Sequence, residues 1–161
     1  MSRKLPWLAY AAVYGFCASF ALPMYRDAKL AGSGLQDYFG IEAVAWAVVT
    51  TVVLPIGFFK NGFDDNALIW LFGVMHLLGH VGFIGACVQV QRGRAPSARW
   101  FAMSSCAGGV ISVFYVSRGA FPLVGYWLWL ASLFSLLWVT HRTVRDAAAV
   151  GSGPTSERHS S

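Results

Sequence analysis

Five long apolar runs, separated by short polar segments, organise the chain. The clearest run is Ala67–Val90, which contains no Asp, Glu, Lys or Arg. As an α-helix it would be about 36 Å long, enough to cross a hydrocarbon layer of about 30 Å with some tilt. Surface helices of soluble proteins carry a polar stripe, and this run has none, so it predicts a transmembrane helix.

The other four runs have a similar character, and we expect one transmembrane helix in each. The predicted spans cover residues 5–24, 41–59, 67–90, 100–116 and 122–140. The predicted fold class is therefore all-α, a polytopic integral membrane helix bundle with five transmembrane helices over residues 1–140. Residues 141–161 are polar and are expected to form a disordered tail.

The first run has a second interpretation as a cleaved signal peptide, which would leave four spans. Its short basic start would be the n-region, and the sequence SFA at residues 19–21 would be the cleavage site. Small residues four apart, which favour packing between membrane helices, indicate a retained helix instead. These residues are Ala11, Gly15 and Ser19.

The connecting segments have the composition of loops and turns. Tyr25–Gly40 is predicted to be a polar loop, because Gly and Ser occupy its centre. Residues 60–66 carry an Asn-Gly pair and predict a tight turn. Ser117–Phe121 predicts a short connection, with Pro122 in the first turn of the last helix.

Composition agrees with this apolar pattern. Of the 161 residues, 57% are hydrophobic and 12% are charged, and the mean hydropathy is +0.55. Soluble domains contain about 25% charged residues, so the composition favours an integral membrane protein. Arg outnumbers Lys, and Ala and Gly are abundant, which indicates a GC-rich genome. The expected location is therefore a bacterial cytoplasmic (inner) membrane.

The net charge of +5 lies between the apolar runs rather than in one basic domain. We therefore expect the lipid bilayer as the partner of these charges, and no nucleic acid. The residues predicted to contact lipid headgroups and set the topology are Arg92, Arg94, Arg99, Arg142 and Arg145.

Topology follows from counting basic residues on the two faces of a five-span bundle. Eight would lie on the face that holds the C-terminus and four on the other, which predicts a cytoplasmic C-terminus and an outer N-terminus. Arg3 and Lys4 conflict with this orientation, because basic residues at the start of a chain favour the cytoplasmic side.

Two histidines in the central run are the main candidates for a functional site. His76 and His80 are four residues apart and therefore share one face of the predicted helix. As neutral groups they would hydrogen-bond across the bundle or line a polar pathway. The candidate members of this pathway or packing cluster are Cys87, Thr50, Thr51, Ser104 and Ser105, with Tyr10 and Tyr14 as further hydrogen-bond partners.

Glycines give the same helix a smooth flank. Gly79, Gly82 and Gly85 run three apart, with Gly73 before them. Without side chains at these positions, another helix or a flat ligand could approach the backbone closely.

A metal or haem at His76 and His80 is the alternative reading of the pair, because imidazole binds Zn, Cu, Fe and haem iron. A closed metal site needs about four ligands. The other apolar runs offer no Asp, Glu or His except Glu42, at the start of its run. We therefore expect no cofactor, with a metal or haem as the alternative.

No motif in the chain corresponds to a named chemistry, so an enzyme is not the expected function. We expect a small multi-pass membrane protein that binds or passes a small molecule or ion, or acts as an accessory or immunity-type subunit of another membrane protein. It could equally pair with a second copy of itself. The alternative is a membrane redox protein centred on a metal or haem at His76 and His80.

A hydrolase that uses Ser104 or Ser105 with one of the histidines is the third hypothesis. It would need a nucleophile with a base in reach, and the sequence contains no nucleophile-elbow or HExxH motif.

Overall fold

The computed structural model describes residues 7–27, 36–61, 65–116 and 120–151. These residues form five helices and three short strands. The helices are α1 (Trp7–Ser19), α2 (Gly40–Asn61), α3 (Asp65–Gln91), α4 (Ala95–Val116) and α5 (Val124–Gly151). The strands are β1 (Pro23–Asp27), β2 (Gln36–Phe39) and β3 (Ala120–Pro122).

The predominantly helical architecture is confirmed, but five membrane-length helices are not. Within the described residues, two segments are long and apolar enough to cross a membrane, Ile69–Gln91 in α3 and Val124–Ala149 in α5. Helix α1 has 13 residues, which corresponds to about 20 Å. Core helices of soluble proteins share the length and hydropathy of α3 and α5, so membrane insertion is a proposal rather than an observation.

Helices α3 and α4 form a close antiparallel pair. A Cβ atom added at Gly82 would lie 2.9 Å from the carbonyl oxygen of Phe101, and one at Gly108 would lie 2.5 Å from that of Met75. Backbones can approach this closely only where side chains are missing. The glycine flank of α3 is therefore covered largely by another helix.

Helix α1 covers only one half of this pair. The ring of Phe16 stacks on that of Phe83, with centroids 4.0 Å apart, and the ring of Phe20 lies 5.5 Å from that of His80. Residue numbers rise along α1 as they fall along α3, so the two helices are antiparallel. Trp7 therefore lies toward the end of the bundle where α3 finishes.

Strand β1 follows α1 and runs in the same direction along α3, toward the first residues of α3. Tyr25 contacts Phe72 and His76, which are further from the end of α3 than the partners of α1. This strand is the central one of a three-stranded sheet in the order β2–β1–β3, and both pairings are antiparallel. The sheet thus lies beside the first half of α3.

Strand β2 returns the chain to the middle of the bundle. There the backbone N–H of Gly40 donates to the carbonyl oxygen of Leu22. Helix α2 then runs antiparallel to α3, with Gly73 close to the backbone of Ala47. Helices α1 and α2 consequently occupy different halves of the molecule, α1 with the second half of α3 and α2 with the first.

Helix α5 runs from the sheet along α1 in the opposite direction. Gly125 packs on the carbonyl oxygen of Pro23, and Ser132 packs on Gly15. We call the end where α3 passes into α4 the basic end, since exposed Arg92 and Arg94 lie in that turn. The opposite end is the sheet end, and the level of His80 divides the basic half from the sheet half.

The structure differs from three predictions, two about segments between helices and one about the C-terminal tail. Tyr25–Gly40 is not simply a loop, because β1 and β2 take up its two ends; its centre, residues 28–35, lies outside the described residues. Pro122 ends β3, and α5 begins only at Val124. Helix α5 also continues to Gly151, through part of the expected tail, where three consecutive alanines favour helix. Residues 152–161 lie outside the described residues.

The predicted turn at residues 60–66 coincides with the break between α2 and α3. Helix α2 ends at Asn61 and α3 begins at Asp65, so both helices extend into the predicted turn. Residues 62–64 lie outside the described residues.

Candidate functional site

His76 and His80 lie together on the buried face of α3, where α1 gives way to β1. Their side chains are 0% and 5% exposed, and their ring centroids are 4.8 Å apart. The helical spacing of four residues produces this arrangement directly, since it places both side chains on one face.

Aromatic rings from α1, β1, α3 and α5 surround the pair, and we call this cluster the aromatic enclosure. Five of its rings have centroids between 4.8 and 5.8 Å from a histidine ring, and a sixth packs on two of those five. In the same order, the members are Phe16, Phe20, Tyr25, Phe72, Trp129 and Tyr126.

The indole of Trp129 is the inner wall of the enclosure. It stacks on His80 at 5.0 Å with an interplanar angle of 19°, and its centroid lies 4.8 Å from that of His76. Gly79 makes room for it, because a Cβ atom at this position would lie 2.6 Å from an edge carbon of the indole. Gly79, part of the predicted smooth flank, therefore makes room for an aromatic ring and not for another helix.

Hydrogen bonds fix both histidine rings through their Nδ1 atoms. His80 Nδ1 lies 2.9 Å from the carbonyl oxygen of His76. A carbonyl only accepts, so His80 Nδ1 carries a proton and donates it. The hydroxyl of Tyr25 lies 3.0 Å from His76 Nδ1.

The phenol of Tyr25 keeps its proton near neutral pH, because the ordinary pKa of tyrosine is about 10. The contact with Tyr25 assigns the acceptor role to His76 Nδ1 when the phenol is the donor. The neutral imidazole of His76 then carries its own proton on Nε2.

Two nitrogen atoms in the enclosure have no hydrogen-bond partner among the described residues. They are His76 Nε2 and Trp129 Nε1, and both side chains are 0% exposed. Leaving a buried polar group unpaired costs about 1–3 kcal/mol. Native structures contain few such groups, and an unseen ligand or water is a common explanation.

The charged pair nearest in sequence to the enclosure belongs to another surface. Arg26 and Asp37 form an exposed ion pair across β1 and β2 at 2.7 Å. Their hydrogen bond lowers the pKa of Asp37 and raises that of Arg26. Arg26 follows Tyr25 directly, so the strand alternation directs one side chain inward and the next outward.

The hydroxyl groups predicted to bond the histidines bond backbone carbonyls instead. Ser105 donates to Gly79 at 2.5 Å and so joins α4 to α3. Thr50 donates to the carbonyl of Ala47 in its own helix. Exposed Ser104 donates to Trp100, likewise in its own helix.

The remaining predicted members lie apart from the two imidazoles or outside the bundle. Thr51 Oγ1, in the sheet half, is buried and has no hydrogen-bond partner among the described residues. Cys87 is half-buried against the core, two turns from His80 toward the basic end. Tyr10 and Tyr14 are exposed. No described serine or threonine hydroxyl bonds either histidine, which explains why the hydrolase hypothesis gains no support.

Sequence reasoning missed Tyr25, which hydrogen-bonds His76, and Trp129, which stacks on His80. Tyr25 was the first residue of a predicted polar loop, so it was not expected in the core. Trp129 could have been identified from the helical spacing of buried α5 residues, which separates it from exposed Trp127 and Trp138. That buried stripe comprises Tyr126, Trp129, Leu130, Leu133 and Leu136.

Metal binding would have to use the two Nε2 atoms. No group of three or more His, Cys, Asp or Glu side chains comes together within the described residues. Glu42, the one acid considered as a further ligand, accepts a hydrogen bond from the backbone N–H of Phe39 at an exposed position. A metal would therefore need ligands beyond the histidine pair.

Apolar contacts separate the enclosure from the basic end. The stacked rings of Phe16 and Phe83 lie just beyond His80, followed by buried Ala86. The hydroxyls of Ser132 and Thr140 in this half bond carbonyls of their own helix. The described residues therefore form no continuous polar path from His80 to the basic end.

No family model, curated protein or solved structure matches the chain.

Proposed function

We propose that the protein is a multi-pass membrane protein that holds a small uncharged molecule in the aromatic enclosure around His76 and His80. The observation that carries this proposal is the pair of unpartnered nitrogen atoms, His76 Nε2 and Trp129 Nε1, in fully buried side chains. A bound molecule that pairs with these atoms accounts for their retention.

The outer surface of the two long helices supports a membrane location. Only 39% of the apolar window of α3 and 50% of that of α5 is buried. The exposed face of α3 carries Val81 and Ile84, without a charged residue from Ile69 to Gln91. A soluble protein would present a polar face there, whereas lipid covers such a face readily.

The fold supports four crossings rather than five. Helix α1 with β1 makes the first crossing, and α3, α4 and α5 make the other three. Segment β2–α2 enters from the sheet end, turns at the level of His80 and returns to the sheet end. The backbone of β1 is paired on both sides by β2 and β3, as a membrane requires. Its exposed Arg26 lies toward the sheet-end interface.

This arrangement has the first residue of α1 and the last residue of α5 toward the basic end, and removes the conflict in the five-span topology. Exposed or half-buried arginines cluster there: Arg92, Arg94, Arg99, Arg142 and Arg145. Arg3 and Lys4 directly precede α1, whose first residue lies toward the same end. By the positive-inside rule, the basic end is cytoplasmic.

Binding is favoured over passage because of the apolar contact at Phe16 and Phe83. The unpaired atoms of the enclosure lie on the sheet side of this contact, and a polar solute would meet only hydrocarbon beyond it. The resting protein therefore holds its molecule at mid-depth.

The binding test uses protein extracted in polymer-bounded membrane discs and analysed by native mass spectrometry. Wild type should retain a small non-lipid adduct, and Trp129→Phe, which removes the indole N–H, should lose at least half of it. Trp138→Phe, at an exposed position of the same helix, is the matched control. Absence of the adduct from wild type, or equal retention in Trp129→Phe, would overturn the proposal.

The topology test labels single cysteines in intact cells with an impermeant maleimide, after the three native cysteines are replaced by Ser. Ser2→Cys and Arg94→Cys should both be protected, and Asp37→Cys should be labelled. The five-span bundle would instead place residues 2 and 94 on opposite sides. Labelling of just one of these two positions would therefore contradict the four-crossing arrangement.

A metal or haem site is the second candidate, supported by the contact between Tyr25 and His76. Metal-binding histidines commonly use one ring nitrogen for the metal while the other is held by a hydrogen bond. Here Nδ1 is held and Nε2 is free. Metal analysis and an absorption spectrum of the disc-embedded protein test this candidate; substoichiometric metal with no Soret band would remove it.

A further inference from the structure

We infer that the aromatic enclosure binds a neutral oxygen acceptor, which receives hydrogen bonds from His76 Nε2 and Trp129 Nε1. This inference deepens the proposed function and rests on the same enclosure. It specifies the ligand by its chemistry, as a carbonyl or water oxygen rather than a cation, an anion or a hydrocarbon.

With Tyr25 as the donor to His76 Nδ1, both unpartnered nitrogens are donors. An indole nitrogen only donates. His76 is neutral in the absence of a nearby anion, and it receives the Tyr25 proton at Nδ1, which leaves its own proton on Nε2. Two N–H groups of the enclosure are therefore left without a hydrogen-bonded acceptor among the described residues.

The geometry allows one atom to serve both donors. The two ring centroids lie 4.8 Å apart, and an N–H···O bond spans about 2.9 Å. The acceptor nitrogen of His80 is Nε2, because Nδ1 donates to the His76 carbonyl. The indole stacks on the face of this ring and makes no hydrogen bond to it. An oxygen with two lone pairs matches the two donors.

Charge selects a neutral ligand. Two N–H dipoles point their positive ends into the enclosure and repel a cation. Aromatic faces carry negative charge density, which disfavours an anion, and no Arg or Lys contacts the enclosure among the described side chains. Burial of an uncompensated ion is very costly, so a neutral acceptor fits best.

The test observes both donors directly by NMR on ¹⁵N-labelled protein in lipid nanodiscs. The indole resonance of Trp129 is assigned by its loss in Trp129→Phe, or by sequential triple-resonance spectra if that variant does not fold. Long-range ¹H–¹⁵N spectra report which nitrogen of His76 carries the proton. Cyclohexanone is the carbonyl probe, and methylcyclohexane is its control without an acceptor.

We expect His76 to be protonated on Nε2 and the indole proton to be hydrogen-bonded. A water source gives an exchange cross-peak between the indole proton and water. A carbonyl source gives a downfield shift with cyclohexanone that methylcyclohexane does not produce. A bare His76 Nε2, or an indole proton that shows neither signal, would overturn the inference.

These results separate this inference from the proposed function. Donors bonded to water, with no adduct in the mass spectra, would keep the acceptor site and remove the bound small molecule. An adduct that depends on Trp129, together with an unbonded indole proton, would keep the binding function and remove the acceptor chemistry.

Discussion

The two halves of the bundle on either side of His80 are closed by different kinds of contact. In the basic half, α1 packs on α3 and α5 through apolar groups, with Phe83 and Ala86 in the core. In the sheet half, a strand takes the place of α1, and polar atoms of Tyr25 and His76 meet in the interior. Four buried side-chain atoms have no partner among the described residues. Three of them lie in the sheet half or at the level of His80: Thr51 Oγ1, His76 Nε2 and Trp129 Nε1. The fourth, Gln89 Oε1, lies in the basic half.

Because β1 is a strand and not a continuation of α1, it makes a polar site possible in the sheet half. An extended chain rises about 3.3 Å per residue, against 1.5 Å in a helix. Few residues of β1 therefore cover the sheet half, and Tyr25 can be placed opposite His76 while β2 and β3 satisfy the strand backbone. A continued α1 would have brought a second apolar helix surface to this position.

The largest effect is expected from removing an aromatic side chain in the basic half. Phe83→Ala should lower the free energy of unfolding by about 3–5 kcal/mol, because it removes buried area and leaves a cavity against Phe16. Denaturant titration in mixed micelles measures this change. Phe134→Ala, at an exposed position on α5, is the control, and an equal loss in both variants would contradict the dry, packed description of this half.

A slightly smaller loss of stability is expected where α3 and α4 pack closely, near the boundary between the two halves. Gly108→Val should destabilise the protein by about 3 kcal/mol, since the new side chain meets the Met75 carbonyl of α3. Ala107→Val, its exposed neighbour, should change the same titration little. If Gly108→Val were as stable as Ala107→Val, the close approach of α3 and α4 would be refuted.

Within the sheet half, the single Tyr25 hydroxyl should matter less than a core ring. Tyr25→Phe should cost about 1 kcal/mol, because it leaves His76 Nδ1 without its donor. It should also redistribute the His76 proton between the two ring nitrogens, which ¹⁵N spectra detect. Tyr14→Phe, at an exposed position, should affect neither property; an unaltered His76 spectrum in Tyr25→Phe would argue against the contact.

The smallest effect concerns the exposed ion pair on the outside of the sheet. The pKa of Asp37 is lower in the folded state, so the pair contributes its stability above the ordinary pKa of aspartate. That contribution is lost as the pH falls through the lowered folded value. Amide shifts of β1 and β2 followed through an acid titration should show this step, and solvent keeps it small.

Asp37→Asn should abolish the titration step, whereas Asp146→Asn on α5 should leave it in place. A step that persists in Asp37→Asn would assign the titration to another group.

The helices could be predicted from the sequence, but the division into halves could not. Each apolar run contains one of the five helices of the described residues, although only two of these helices are long and apolar enough to span a membrane. Strand β1 pairs with β3, nearly one hundred residues later in the chain, and strands of three to five residues are too short to show alternation. The predicted first span therefore merged α1 with the start of β1.

The histidine pair followed from local spacing, whereas its partners depended on tertiary contacts. Serines and threonines were expected to bond the imidazoles, but in helices such hydroxyls bond nearby carbonyls, as Thr50 does. Trp70 likewise bonds a backbone carbonyl, that of Thr51, from a half-buried position.

The shortness of α1 has a consequence for how the protein is made. A helix of 13 residues is too short to remain across a bilayer alone. Its closest partner, α5, is synthesised more than one hundred residues later. In the proposed four-crossing arrangement, the first crossing is therefore stable only after the last helix is made. We expect chains truncated before Val124 to be recognised by membrane quality control as unassembled.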